Sequence, residues 1–429
     1  MEAIGSELNL FEPPVTQSAI EGENIQEFGP LATIIQGAPI DFQIEGGGEN
    51  YIDLNNTKLE VRAKLTMPDG TNIAGGTRVG VVNLPLHSMF ESVRIKIADK
   101  VVTETNNMYP YRALMETLLN YEKSVLDTRL KCEGYEEDLS GQMDETDPAG
   151  ANTGLGRREA FWNASRVVRL IGRLHSDLFH QEKLIPAGIK LDIQLVPSRP
   201  TFFIKTAVPQ GQNVQVLYKL HIVSARFLVQ FKQVSKHMAV SHLETVGEVN
   251  YQIPHTKVLM KTQHIPQGVT NFSIDNIFKG KLPDRVALAM VSDAAMTGSY
   301  NSNPFNFEHF GVNYMSLLVN SQHVPRIPYE PDFQRNDYLR EYLGVLEAMG
   351  YDIGPYTWSL SPSAWATGYN FWVYKVTPGP IGAVRSKQLT GDIRLEMKFR
   401  QATNANITLI VLSEEPATLE IDKFNHVLI

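Results

Sequence analysis

One order of elements is written twice in this chain. Lys58–Leu65 alternates, with Leu59, Val61, Ala63 and Leu65 facing one way and Lys58, Glu60, Arg62 and Lys64 the other. That is the period of a half-buried strand, and Pro68-Asp69-Gly70 then turns the chain. Arg285–Val291 repeats the strand. The hairpin-like Phe90–Val102 sets Val93, Ile95 and Ile97 against Arg94 and Lys96 and turns at Ala98-Asp99-Lys100; Val312–Val324 repeats it at an offset of 222, with Asn320-Ser321 at the turn. A helix follows each hairpin. The first has Pro110 in its opening turn and the stripe Tyr111, Leu114, Met115, Leu118 and Leu119. Its counterpart is predicted to begin near Pro331, with Tyr338, Leu339, Tyr342, Leu343, Leu346 and Met349 as its stripe and Gly350 at C′.

The late strands match in pattern as well. Ile189–Leu195 and Ile393–Phe399 share an order of apolar, basic, apolar, acidic, apolar, polar, apolar at an offset of 204. The last strand of each unit is read as Leu217–Val223 and Ile407–Leu412. The fall in offset points to a longer loop in the first copy. Glu133–Gly150, with seven acidic residues and no Lys or Arg, is the candidate; such a run is expected to be a solvated surface loop. The competing explanation is that alternating strands resemble one another anyway; the conserved order of five elements argues against it.

Each unit is too long for a solenoid repeat and suits a domain. Mostly strands with one helix gives the fold class: all-β, two tandem eight-stranded jelly-roll β-sandwiches with short helices in connecting loops. The expected boundaries are an N-terminal arm at 1–30, a first jelly roll at 31–233, a linker at 234–250 and a second jelly roll with a C-terminal tail at 251–429. The arm contains Pro13-Pro14 and is expected to be ordered by neighbouring molecules; the linker includes the weakly helical Ser235–Val246.

Bulk composition narrows the function. The 429 residues, 43% of them hydrophobic and 20% charged, can fill two cores. A net charge of −8 disfavours coating DNA by phosphate neutralisation, so enclosure of a genome would be as a shell. A lone cysteine, Cys132, rules out an internal disulfide. The start of the chain lacks the basic region and apolar core of a signal peptide, and no apolar run is long enough to span a bilayer.

Catalytic signatures are missing: there is no G-x-x-x-x-G-K-[ST], H-E-x-x-H or G-x-S-x-G. Gly46-Gly47-Gly48 reads as a flexible turn. His175/His180 and His237/His242 are five apart, a spacing that does not stack two ligands on one helical face, so no metal site is expected. The acidic loop lacks the order of a calcium loop. Cys132 reads as an inert thiol. Trp358, Trp365 and Trp372 with Tyr356, Tyr369 and Tyr374 read as core or interface packing, with a sugar-binding platform as the minority reading. No catalytic, cofactor or metal residues are assigned. A carbohydrate-binding or hydrolytic tandem β-sandwich, resting on that aromatic cluster and on paired acids such as Glu136/Glu137, is the rival.

Several stretches carry a family resemblance. They are Ser6–Phe11, Pro13–Glu21, Ala38–Phe42, Tyr51–Thr57 running into Leu59–Lys64, and Glu182–Gly188. In these the chain resembles the major capsid proteins of Polinton/Maverick elements and the related adintoviruses, most closely over 6–65 and 85–200 and mainly in architecture beyond 250. The acidic loop departs from that family. The resemblance implies a double jelly roll, homotrimers at the six-coordinated positions of an icosahedral shell around double-stranded DNA, and contacts with neighbouring capsomers and a single-jelly-roll penton protein. It implies no enzyme activity, no cofactor, no sequence-specific nucleic-acid binding and no transmembrane segment. The expected location is the virion, after synthesis in the host cytoplasm. A host gene derived from such an element is compatible with the same residues.

Overall fold

Sixteen principal strands organise the chain in the computed structural model, which describes residues 17–208, 216–352, 358–377 and 388–428. In the first unit they are β1 (Ile20–Phe28), β2 (Ile40–Glu45), β3 (Asn50–Thr66), β4 (Phe90–Ile97), β5 (Lys100–Glu104), β6 (Val168–Gly172), β7 (Lys190–Pro197) and β8 (Lys219–Val234). In the second they are β9 (Tyr251–Ile265), β10 (Asn271–Ile274), β11 (Arg285–Ser292), β12 (Val312–Val319), β13 (Gln322–Tyr329), β14 (Phe371–Lys375), β15 (Thr390–Phe399) and β16 (Ile407–Ile421). The sheets run β1-β8-β3-β6 and β2-β7-β4-β5 in the first unit, β9-β16-β11-β14 and β10-β15-β12-β13 in the second. Every strand has a counterpart eight places later, in the same position of the corresponding sheet. Two eight-stranded sandwiches, both with jelly-roll connections, therefore lie in one chain.

The alternation read in the sequence builds these layers. Phe42 and Ile44 of β2, Leu59 and Val61 of β3, Val93 and Ile95 of β4 and Phe227 and Val229 of β8 are buried in the first core. The rings of Phe42 and Phe227 meet edge to face across it, centroids 4.9 Å apart. Val286 and Leu288, Met315 and Leu317, Leu395 and Met397, and Leu409 and Val411 do the same in the second. Each such side chain contributes about 1.5–3 kcal/mol on burial. Both hairpins close through two residues of positive φ, Ala98 and Asp99 in one copy and Asn320 and Ser321 in the other. That turn matches the right-handed twist of the strands it joins.

Four longer helices sit in the connections: α1 (Tyr109–Asn120), α2 (Thr153–Trp162), α3 (Lys236–Thr245) and α4 (Leu339–Met349). The connection from α1 to β6 spans residues 121–167, whereas that from α4 to β14 spans only 350–370, which accounts for the fall in repeat offset. Between the sandwiches lies α3, whose N-terminus is capped by Ser235 Oγ accepting from the Met238 N–H.

Several expectations need correction. Residues 20–28 are no free arm: β1 pairs along its length with β8, from Ile20↔Val234 to Phe28↔Phe227. Residues 1–16 lie outside the described residues. Glu60, assigned to the solvent side of β3, is buried. Arg169 and Arg226 on the flanking strands both pair with it, so although burial raises its pKa, the two guanidiniums outweigh that and hold it low. Both last strands are longer than read; β16 begins at Ile407 as expected, whereas β8 begins later and leaves Leu217 outside it. The second helix starts at Leu339, because Asp332 and Asp337 exchange backbone hydrogen bonds that close Pro331–Asp337 into a turn. Gly350 does take the left-handed C-cap, with φ 77°. Phe371–Lys375, read only as part of an aromatic cluster, is a strand.

Candidate functional site

Helix α1 was expected to bury one stripe, yet every residue from Tyr109 to Leu119 is buried, Arg112, Glu116 and Thr117 included. The second sandwich covers its outer side. Tyr111 packs against Phe305 and Phe307 of the second unit, with centroids 5.8 and 6.4 Å away. Trp358 Nε1 donates to the Leu118 carbonyl at 2.7 Å, and Arg285 donates to Asn120 Oδ1 at 2.7 Å. The apolar core thus runs from one sandwich into the other through an aromatic seam.

The acidic stretch Glu133–Gly150 completes that seam and is not a solvated loop. Glu133, Glu136, Asp138, Tyr135 and Met143 are buried. Its missing cations come from flanking elements. Arg158 of α2 donates to Asp138 Oδ1 at 2.6 Å and to the carbonyls of Val81 and Glu136 at 2.8 and 2.7 Å. Lys131 and Arg157 hold Glu136, and Lys123 holds Glu137. Across the seam, Asp144 accepts from the Asn303 N–H and from Asn306 Nδ2, and Tyr369 Oη donates to the Asp138 carbonyl at 3.0 Å. The paired acids once weighed for hydrolysis are therefore engaged in ion pairs.

Among the described residues, helix α4, the counterpart of α1, has no such cover. Its inner face, with Glu341, Gly344 and Val345, is buried. Leu339 and Leu343, one turn apart and predicted to face inward, are 61% and 47% exposed. Ile327 of β13 is 69% exposed, and Arg340 of the helix donates to its carbonyl at 2.7 Å. The element that is clamped in the first unit thus presents a bare apolar strip in the second.

Behind α1 lies a cluster of titratable groups that sequence spacing did not reveal. Arg112 Nε donates to Glu116 Oε1 at 2.8 Å and its Nη2 to Asp177 Oδ1 at 2.7 Å. His175 Nδ1 is 2.7 Å from Glu116 Oε2, and His180 Nε2 is 4.0 Å from the same oxygen. His87 Nε2 lies 3.1 Å from Glu133 Oε2, with its ring edge-on to His175 at 4.7 Å. Burial raises the Glu116 pKa, but the Arg112 charge outweighs it and holds the carboxyl well below its usual range. Desolvation lowers the pKa of the buried His87 ring, with Glu133 opposing that fall. The i,i+5 argument against ligation assumed one helix; these histidines lie on a loop and a short turn, and their partners come from α1 and from Glu133.

The remaining candidates fall as follows. Trp358, Trp365, Trp372, Tyr369 and Tyr374 are all buried, which makes them core and removes the sugar-platform reading; Tyr356 lies outside the described residues. Cys132 is exposed and lines a cavity of about 360 Å³ with Glu133, His175 and His180. His237 is exposed and His242 faces the Tyr51 hydroxyl at 3.1 Å. Gly46-Gly47-Gly48 forms the turn between β2 and β3. Among the described residues, no helix is long and apolar enough to cross a membrane.

No protein-family profile matches the chain. An uncharacterized protein of Caenorhabditis elegans is 23% identical over 349 residues, covering 79% of each chain. Among solved structures, the chain is similar to one from the Sputnik virophage, with TM-score 0.68 and 11% identity over 100% of this chain and 92% of that one. A chain of the PBCV-1 virus capsid matches with TM-score 0.59 and 10% identity over 98% and 99%. The Faustovirus major capsid protein matches with TM-score 0.55 and 11% identity over 97% and 93%. The fold is the double jelly roll of these double-stranded DNA virus capsid structures.

Proposed function

We propose that this chain is a major capsid protein, assembling as pseudo-hexameric trimers into an icosahedral shell around a double-stranded DNA genome. One observation carries the reading. Two sandwiches of identical topology are fused, and the helix clamped between them in the first unit has a counterpart in the second whose apolar side is uncovered. A three-fold arrangement lays the first sandwich of one copy against the second sandwich of the next. Ile327, Leu339 and Leu343 are then covered much as α1 is covered within the chain, and three molecules present six similar edges. The acidic net charge suits a shell more than a nucleoprotein wrap.

The resemblance to Polinton/Maverick and adintovirus capsid proteins, together with a relative in a nematode, supports a genome-resident element of that kind, or a host gene derived from one, as the source. The virion is the proposed location, and neighbouring capsomers and a penton protein are the proposed partners. Light scattering coupled to size exclusion tests the trimer: a species of three times the 48.1 kDa chain mass is expected, and electron microscopy should show capsomers or particles. A strict monomer at high concentration would overturn the reading.

A further inference from the structure

We propose that Glu116, His175 and His180 form a binding site for one first-row divalent transition metal ion, of which Zn²⁺ is the natural probe. The site is independent of the assembly reading. The available ligand atoms, one carboxylate oxygen and two imidazole nitrogens, lie within 4.8 Å of one another. Two histidines and one carboxylate make a donor set suited to borderline metals such as zinc and poorly suited to calcium or magnesium.

The orientation of Glu116 supports the assignment. Arg112 occupies Oε1, which leaves Oε2 directed between the two imidazoles, 2.7 Å from His175 Nδ1 and 4.0 Å from His180 Nε2. A zinc ion with bonds of about 2.0–2.2 Å to each needs those atoms roughly 3.3 Å apart. That is a shift of about 0.6 Å apart on the His175 side and about 0.7 Å together on the His180 side. The second shell is already in place: Arg112 fixes the carboxylate, Asp177 fixes Arg112, and Thr117 Oγ1 lies 3.4 Å from His175 Nε2.

Charge favours a cation. The carboxylates of Glu116 and Asp177 flank one buried guanidinium, Arg112. Arg129 and Arg173 line the outer cavity, but their guanidiniums are turned to the ring and hydroxyl of Tyr121 and to Asn55. Entry is open: a cavity of about 350 Å³ between the sandwiches reaches Glu116, His175 and His180. The rival triad of His87, Glu133 and His175 is buried throughout, and His87 already holds Tyr109 and Glu133.

A bound ion would tie α1 to the Asp177–His180 turn. Through Asp177, which also accepts from the Val258 N–H at 3.2 Å, it would reach the second sandwich. The test uses the full chain, stripped with chelator and titrated with Zn²⁺ in a calorimeter and with Co²⁺ in a spectrophotometer. One equivalent should bind with micromolar affinity or better, Co²⁺ should develop a visible band of a low-coordinate nitrogen/oxygen site, and Zn²⁺ should raise the melting temperature. His180→Ala, at the cavity mouth, should weaken binding by about 100-fold or more while the chain stays folded; the exposed His237→Ala should not. Glu116→Gln is the second variant and should also abolish the Co²⁺ band. Absence of a stoichiometric event, or binding unaffected by His180→Ala, would overturn the assignment.

Discussion

The indole Nε1 of Trp358 donates to the carbonyl of Leu118, in the last turn of α1, at 2.7 Å. The carbonyls of a last helical turn have no partner within the helix. The second sandwich supplies one here, and Arg285 brings a positive charge to the same end through Asn120 Oδ1, where the helix dipole favours it. The second unit therefore acts as the C-terminal cap of a helix belonging to the first.

Trp358→Phe keeps most of the buried apolar surface and removes the donor, leaving a buried carbonyl unpaired. The expected cost is about 1–3 kcal/mol, read as a lower urea midpoint. Amide exchange should accelerate in the last turn of α1 and in 358–370 together. Faster exchange in the second unit alone would mean that the hydrogen bond does not couple the two units.

Leu343→Arg tests the bare strip on α4. The side chain is 47% exposed, so the isolated chain should lose no more than about 0.5 kcal/mol. A buried, unpaired arginine at a three-fold contact should cost several kcal/mol per interface and shift the light-scattering mass from three chains to one. An unchanged mass would place the contact elsewhere.

Much of this architecture was legible because period-two alternation reports burial directly: Val93, Ile95 and Ile97 point inward as read. The repeat was legible for the same reason. What failed was whatever depends on a partner distant in sequence. The acidic loop contains no Lys or Arg, and nothing local shows that Arg157 and Arg158 of the following helix turn back onto it. Leu339 and Leu343 carry the pattern of a core stripe and are nonetheless exposed, because helical periodicity does not say which apolar side chains the rest of the fold will cover. The His175 cluster was invisible because its members meet across 59 and 88 positions, from Glu116 to His175 and from His87 to His175; only the fold brings them together.

Arg158→Met tests the anchoring of the acidic loop. Arg158 and Asp138 are both buried, and the guanidinium also serves two carbonyls. Removing one partner leaves the Asp138 carboxylate uncompensated, at an expected cost of about 3–5 kcal/mol. Adding Asp138→Asn should recover part of that, and a double-mutant cycle in urea measures the coupling. Additive losses would show that the pair matters only through packing.

Lys205 gives a pH signature for the seam. It is 1% exposed, its ammonium donates to the Ser299 carbonyl at 3.4 Å, and burial pushes it down from 10.5 to about 7, with Asp144 and Asp138 opposing that fall. Below about pH 7 both the folded and unfolded chains are protonated, and the folded one carries the full cost of a buried charge. From about 7 to 10.5 the unfolded chain still holds a proton that the folded chain has released, so this group's contribution to stability rises with pH. Lys205→Met removes the charge at nearly constant volume. The variant should exceed the parent by about 3–5 kcal/mol near pH 6, and the gap should narrow as the pH approaches 10. Urea midpoints at several pH values decide it: a difference that stays constant with pH would mean that Lys205 acts through packing and not through its charge.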